Sequence, residues 1–367
     1  MKFKIIALKS RVLKVDSGGI LNIDGRAYKR IALVLILILL IITQTGCSSE
    51  PDPVSDTNYY LDTVCEITIY DMEDMSEENA QEAIDAAFDR CRVLDKTLSK
   101  TVSTSEISQI NNANGEWVEV SEDTFTLIKA GIYYSELSGG EFDITIGTVA
   151  DLWDFYSDDP SIPDSDDLAE ALLHVDYTVI EIEENEDGSG KVRLTDLSAQ
   201  IDLGGIAKGY VGDEMAEVLK EYGVTSAVIS LGGNIVTVGG KSDSTGFTIG
   251  IEEPYTDSSE VIGSVEVTDK TVVTSGVYER QFEVDGVIYH HILSTTDGYP
   301  VDTDLDAVTL IADTGMSMDI DALSTICLIK GSDEAKALIE SMDGIEAIFC
   351  YSNGDIETTS GVELDAA

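Results

Sequence analysis

Residues 31–42 read IALVLILILLII, twelve consecutive apolar residues behind the basic pair Lys29-Arg30, and this run divides the chain. A helix needs about 20 apolar residues to cross a bilayer, so the run fits the hydrophobic region of a signal peptide better than a span. Thr45-Gly46-Cys47-Ser48-Ser49 follows, resembling a bacterial lipobox in which Cys47 would be lipidated and become the mature N-terminus. Gln44 stands where such boxes usually carry Leu, and thirty residues precede the run. An uncleaved N-terminal anchor is the alternative. Either arrangement places the remainder outside the cytoplasmic membrane. The expected division is a signal peptide over residues 1–46, a flexible tether over 47–58 and a folded domain from 59.

Charge divides the chain at the same place. Of 22 Lys and Arg, eight lie in the first thirty residues, opposed only by Asp16 and Asp24. From Cys47 onward 14 basic residues face 68 acidic ones. So acidic a surface repels phosphate backbones and gains nothing from counterion release, which excludes nucleic acid as a partner. A phosphorylated ligand would have to be met by a metal ion or by a local cluster of donors. The 367 residues, 43% of them hydrophobic, suffice for one large domain or two closely packed ones. Cys65, Cys91, Cys327 and Cys350 sit in apolar contexts without a C-x-x-C. They read as buried thiols, with one or two disulfides open to an exported chain.

The hydrophobic pattern predicts an α+β fold of mixed sheets with packed helices. Residues 59–70 alternate as a strand, and residues 76–98 carry apolar positions at helical spacing behind Ser76. Residues 98–114 read as a polar loop, and a helix over 121–137 stops at Gly139-Gly140. Strand runs follow at 191–203, 227–238, 247–253, 263–273, 281–293 and 307–312, with helices over 206–222, 315–329 and 333–342.

Four glycine-punctuated or acidic segments carry the candidate chemistry. Asp202-Leu203-Gly204-Gly205-Ile206-Ala207-Lys208-Gly209-Tyr210 leaves a strand, turns on two glycines and enters an amphipathic helix. Such a turn lets backbone approach a ligand and aims free N–H groups at it; a purely structural turn reads the same way. Ser230-Leu231-Gly232-Gly233-Asn234-Ile235 is a tight strand connection. Thr274-Ser275-Gly276-Val277-Tyr278-Glu279-Arg280 leads to His290-His291, of which alternation along a strand lets only one face a site. Asp321 and Thr325 share a helix face at i, i+4, where they could offer oxygens to a hard cation or serve as a cap and a buried Thr.

In this order the segments resemble the FAD:protein FMN transferases of ApbE type. The matching stretches are DLGGIAKGY (202–210), SLGGNI (230–235), TSGVYER (274–280), HHILSTTDGYP (290–300) and DALST (321–325), with SEISQIN (105–111) and GGEFDITIGTVADLWDF (139–155) upstream. The resemblance implies a catalytic domain over 59–355 and a tail over 356–367. It further implies that Asp202 and Lys208 contact FAD, and that the Gly205 carbonyl, Asp321 and Thr325 hold Mg²⁺, with Mn²⁺ open. Leu61, Thr101, Glu141, Phe142, Asp143 and Ile292 would line the remaining flavin-nucleotide pocket. His291, titrating near neutrality, would be the general base for transfer of FMN to a target threonine with release of AMP, while His290 would be a partly exposed or packing residue. Implied clients are flavin-carrying subunits of Rnf- and Nqr-type redox pumps. Two departures stand out: Ser294-Thr295 replaces the family's Asp-Pro, and Leu61 and Thr101 replace a Met and a Tyr. FAD hydrolysis to FMN and AMP, or flavin binding without catalysis, are the alternatives.

Overall fold

In the computed structural model the described residues are 52–70, 75–155, 157, 160–256 and 260–367. The apolar run, the lipobox and Cys47 lie outside them. In chain order the strands are β1 (Val54–Tyr60), β2 (Thr63–Ile69), β3 (Val118–Val120), β4 (Ile180–Glu184), β5 (Gly190–Leu194), β6 (Ala227–Leu231), β7 (Asn234–Val238) and β8 (Phe247–Glu252). They continue with β9 (Val261–Val267), β10 (Lys270–Gly276), β11 (Gln281–Val284), β12 (Val287–His290), β13 (Leu305–Asp313), β14 (Glu346–Tyr351), β15 (Ile356–Thr358) and β16 (Asp365–Ala366). The helices are α1 (Glu77–Leu98), α2 (Glu106–Asn111), α3 (Glu122–Ser138), α4 (Gly147–Trp153), α5 (Ser165–Leu172), α6 (Ala207–Glu221), α7 (Ser317–Lys330) and α8 (Ser332–Glu340). No helix among them is long and apolar enough to cross a membrane.

The fold is α+β. An eight-stranded antiparallel sheet, in the order β1-β2-β6-β7-β10-β13-β14-β15, forms its centre. Helices α1, α6 and α7 cover one face, where Ala80, Ile84, Ala87, Cys91 and Leu94 of α1 are buried at helical spacing. Ser76 caps α1 by accepting the Asn79 N–H at 3.2 Å. Against the other face lies the sheet β16-β9-β8, whose Phe247, Ile251, Val265 and Val267 pack on Val272 and Ile348. The ribbon β11-β12 leans on a separate cluster around Trp153, with Phe282 and Tyr289 against the indole. A third small sheet, β3-β5-β4, lies beside α3.

Several sequence expectations are corrected. The strand over 59–70 is a hairpin turning on Leu61 and Asp62, both left-handed with φ of 53° and 55°. Turns of that hand normally use Asn or Gly, so Leu-Asp gave no signal. The runs at 227–238 and 281–293 likewise split into the hairpins β6-β7 and β11-β12, and the run at 263–273 divides into β9 and β10, which belong to different sheets. Only Thr195 onward of the 191–203 run departs from strand, since β5 ends at Leu194. The polar loop over 98–114 contains α2, capped by Ser105. Strand β1 occupies residues 54–58 of the expected tether, and β15 and β16 occupy part of the expected tail by pairing with β14 and β9. These short segments are too polar for a hydrophobic pattern. Backbone pairing to an open sheet edge orders them instead.

Candidate active site

The turn after Ile201 is built to leave room. Asp202 Oδ1 accepts the Gly204 N–H at 2.8 Å, closing an Asx-type turn ahead of α6. A Cβ on Gly205 would sit 3.0 Å from the Phe142 ring, so a side chain there would crowd it. No side chain caps α6 at Ile206; of its first-turn N–H groups, that of Ala207 donates to the Leu203 carbonyl at 2.9 Å and that of Gly209 goes to a carboxylate of α7. Helices α6 and α7 meet at Gly209, where an added Cβ would lie 2.2 Å from the Ser317 carbonyl oxygen. That contact lets the buried Asp321 reach across, its Oδ2 accepting the Gly209 N–H at 2.8 Å. Thr325 Oγ1 lies 3.5 Å from the Asp321 carbonyl oxygen and 3.8 Å from the Cβ position of Gly205.

Gly205, Asp321 and Thr325 therefore meet as one carboxylate, one hydroxyl and backbone. Their donors are all hard oxygens, which fit Mg²⁺ or Mn²⁺. Among the described residues no group of three His, Cys, Asp or Glu side chains could cage a metal. A cation here would thus depend on ligand or water oxygens to fill its coordination, as Mg²⁺ at phosphate sites does.

All twelve residues expected in the site, Cys47 excepted, line one cavity of about 1420 Å³. They do so in different ways. Phe142 and Ile292 are buried in its wall, and Lys208 lines it from the first turn of α6. Leu61 borders it from the strained hairpin turn, its N–H held by Asp95 Oδ1 at 3.1 Å. Thr101 is exposed and bonds Ser99 across 3.0 Å. Glu141 pairs with Lys330. Asp143 uses Oδ1 on the Thr145 N–H and hydroxyl and Oδ2 on the Tyr177 N–H, so it braces the loop below the cavity. Burial raises its pKa despite those bonds.

Histidine corrects one expectation. His291 follows the end of β12, and its Nδ1 donates to the Arg280 carbonyl at 3.3 Å, leaving Nε2 as the basic nitrogen. Burial first, then the charges of Arg280 and Lys208, push its pKa down to about 3, not near neutrality. His290 does not line the cavity; it is 9% exposed, with an unpartnered Nδ1, and is a buried packing residue.

The structure adds three charged residues that were not singled out. Lys100 lies between Asp151 at 2.7 Å and Asp202 at 2.9 Å. Burial alone would depress its pKa, but the two carboxylates outweigh burial and hold it above the ordinary lysine value. Asp202 is thereby tied to Lys100 as well as to its own turn. Arg280 lines the cavity beside His291, its pKa lowered by burial. Glu279 lines it too, its pKa raised by burial and by Asp321 and Glu252 against the opposing pull of Lys208. With Lys100, Lys208 and Arg280, three of the 14 cations beyond Cys47 border one cavity. Their scarcity was the one available signal for Lys100. Glu279 and Arg280 stood inside a motif already marked.

Comparison with known proteins gives a consistent result. The model of the ApbE family matches residues 61–349. A FAD:protein FMN transferase of Treponema pallidum is 31% identical over 340 residues, covering 90% of this chain and 93% of that one. One from Klebsiella pneumoniae is 35% identical over 261 residues, covering 71% and 79%. Among solved structures, the ApbE protein of Thermotoga maritima superposes with a TM-score of 0.74 at 30% identity, covering 84% of this chain and 97% of that one. The apo flavinyl transferase ApbE of Pseudomonas stutzeri gives 0.71 at 27% identity, covering 84% and 94%.

Proposed function

The chain belongs to the ApbE family of flavin transferases, and we propose that it moves the FMN portion of FAD onto a threonine hydroxyl of an exported or membrane-bound acceptor protein, releasing AMP. The observation that carries this reading is the meeting of Gly205, Lys208, Asp321, Thr325 and His291 on one cavity in a strongly acidic chain. Acidic surface repels a dinucleotide everywhere else, so the cluster is where a diphosphate is tolerated.

In the transfer the acceptor Oγ attacks the FMN-side phosphorus, the bond from that phosphorus to the bridging oxygen breaks, and AMP leaves with the electron pair. Reaction through such a centre is governed by placement and by charge stabilisation more than by covalent help. Lys208 and the N-terminal dipole end of α6 supply positive potential for the departing phosphate. His291 is neutral across the physiological range, so its Nε2 lone pair is free to take the hydroxyl proton. The neighbouring negative diphosphate would raise its pKa again once FAD is bound, strengthening it as a base. Gly205, Asp321 and Thr325 would hold Mg²⁺, which supplies Lewis-acid neutralisation of the diphosphate oxygens when bound.

The proposal includes export and lipid anchoring at Cys47, which would hold the enzyme beside membrane redox subunits of the Rnf and Nqr type. Intact-protein mass spectrometry of a flavin-free acceptor domain after incubation with enzyme, FAD and Mg²⁺ tests the reaction. An FMN increment on the acceptor is expected. Free FMN and AMP beside an unmodified acceptor would replace transfer by hydrolysis.

A further inference from the structure

The cavity extends beyond the phosphate-binding residues along β8. Every residue from Thr248 to Glu252 lines it. A strand that presents a face to a cavity contributes alternate residues, so five in succession mean that its edge is presented. Burial agrees. Phe247 and Ile251 are buried in the face against the large sheet, Ile249 is half-buried between them, and Thr248 and Gly250 are exposed on the other face. Strand β8 also ends the order β16-β9-β8, so among the described residues its outer edge pairs with no strand. Alternate N–H and C=O groups along it therefore point into the cavity. The facing wall is apolar, formed by Ile235 and Val272 of the large sheet.

From this geometry we infer that the open edge of β8 is the docking strand for the acceptor polypeptide, which adds in extended form as a further strand of the small sheet and delivers its hydroxyl to the phosphate end. The inference rests on the flavin-transfer reading and names the surface by which the second substrate is held. Open edges are usually protected against pairing, and one left lining a reaction cavity has main-chain bonds to offer. The occupant is a polypeptide because the β8 wall suits no polyanion. Glu252 stands on β8 itself, and Glu279, in the field of Glu252 and also of Asp321 and Lys208, carries acid on toward the phosphate end, where Arg280 and Lys208 act on His291. An uncharged or basic segment with alternate small or apolar side chains toward Ile235 and Val272 fits. Five residues of strand span about 16 Å, the length of one short recognition segment.

The test uses the full-length protein with FAD and Mg²⁺ and, as probe, a flavin-free FMN-binding domain whose acceptor threonine is replaced by valine, so that it docks without reacting. Hydrogen–deuterium exchange should show alternate amides within Thr248–Glu252 slowed at least ~10-fold by the probe, the protection expected of newly paired strand groups. A second measurement uses Thr248→Pro and Ile249→Pro. Neighbouring N–H groups point to opposite sides of a strand, so one proline breaks the β8-β9 ladder and the other removes only the outward donor. The variant with the parent's Tm should keep the parent's FAD affinity and raise the KM for the threonine-bearing acceptor at least ~10-fold. Unchanged exchange along β8, or an unchanged acceptor KM in the fold-sparing variant, overturns the docking assignment. A parent enzyme that binds FAD but transfers FMN to no acceptor overturns the functional reading itself, a separate result.

Discussion

The two walls of the cavity are built from different elements and carry opposite chemistry. The helix wall, where α6 meets α7, gathers the start of α6, Lys208, Asp321 and Thr325, with Lys100 and Arg280 nearby. The sheet wall offers backbone edge from β8, apolar side chains from β7 and β10, and acid at Glu252. Fixed dipoles and a buried carboxylate suit a dinucleotide and a cation, whose charge must be matched at defined points. A strand edge suits a chain of variable sequence, because main-chain bonds do not depend on side-chain identity. One cavity can thus be exacting toward one substrate and tolerant toward the other.

Substitutions that separate the walls put this contrast at risk, and the largest effect is expected at His291. His291→Ala should slow transfer by ~10²–10⁴ with FAD affinity retained, the usual contribution of a general base. His290→Ala should change folding stability more than turnover. A His291→Ala enzyme that works like the parent at matched FAD saturation would remove the base assignment. The pH profile gives a second reading of the same residue. Because its pKa is depressed to about 3, His291 is neutral and competent down to acidic pH. The acid limb of kcat/KM for FAD should therefore fall well below the ordinary histidine value of about 6.5.

Next in size is Asp321→Asn, which keeps an acceptor for the Gly209 N–H but removes the charge. Loss of ~10²–10³ in turnover is expected, comparable to removing one preorganised electrostatic group. Calorimetry should show a near-parental Tm, and full activity with the parent's own Mg²⁺ requirement would sink the metal assignment. Lys100→Met should act on binding. It leaves Asp151 and Asp202 facing each other beside the phosphate turn, so FAD affinity should weaken ~10-fold, or about 1.4 kcal/mol. Lys100→Arg should restore part of it in an isothermal titration. The smallest effect belongs to the sheet wall. Glu252→Gln should leave FAD affinity unchanged and move the acceptor KM by no more than ~3-fold, as expected for one partly exposed charge. A large FAD effect there would show that the walls do not divide the substrates.

Legibility differed between the walls for the same reason. The helix wall is written locally: DLGGIAKG is a contiguous turn entering a helix, and DALST is an i, i+4 pair, so each announces itself within a few residues. The sheet wall has no such motif. An edge is a property of strand order, and nothing in FTIGIE says that β8 ends its sheet or that the edge turns inward. Lys100 was missed because its significance lies in Asp151 and Asp202, distant in sequence and brought to it by packing. The hairpin at Leu61-Asp62 was missed because tertiary contacts, with Asp95 holding the Leu61 N–H, support a backbone hand that the residue types disfavour.

By itself the sequence determined the α+β class, the acidic balance, the helices around the site and the chemical types placed at each of its motifs. These depend on periodicity, composition and short-range turn chemistry, which the chain carries in every window. Only the tertiary structure decided that Gly209 and Asp321, 112 positions apart, share a hydrogen bond. It also decided that burial and two cations depress His291, and that β8 presents an edge instead of a face. Desolvation, fields and sheet order are set by what surrounds a group in space, and no local run of residues encodes that surrounding.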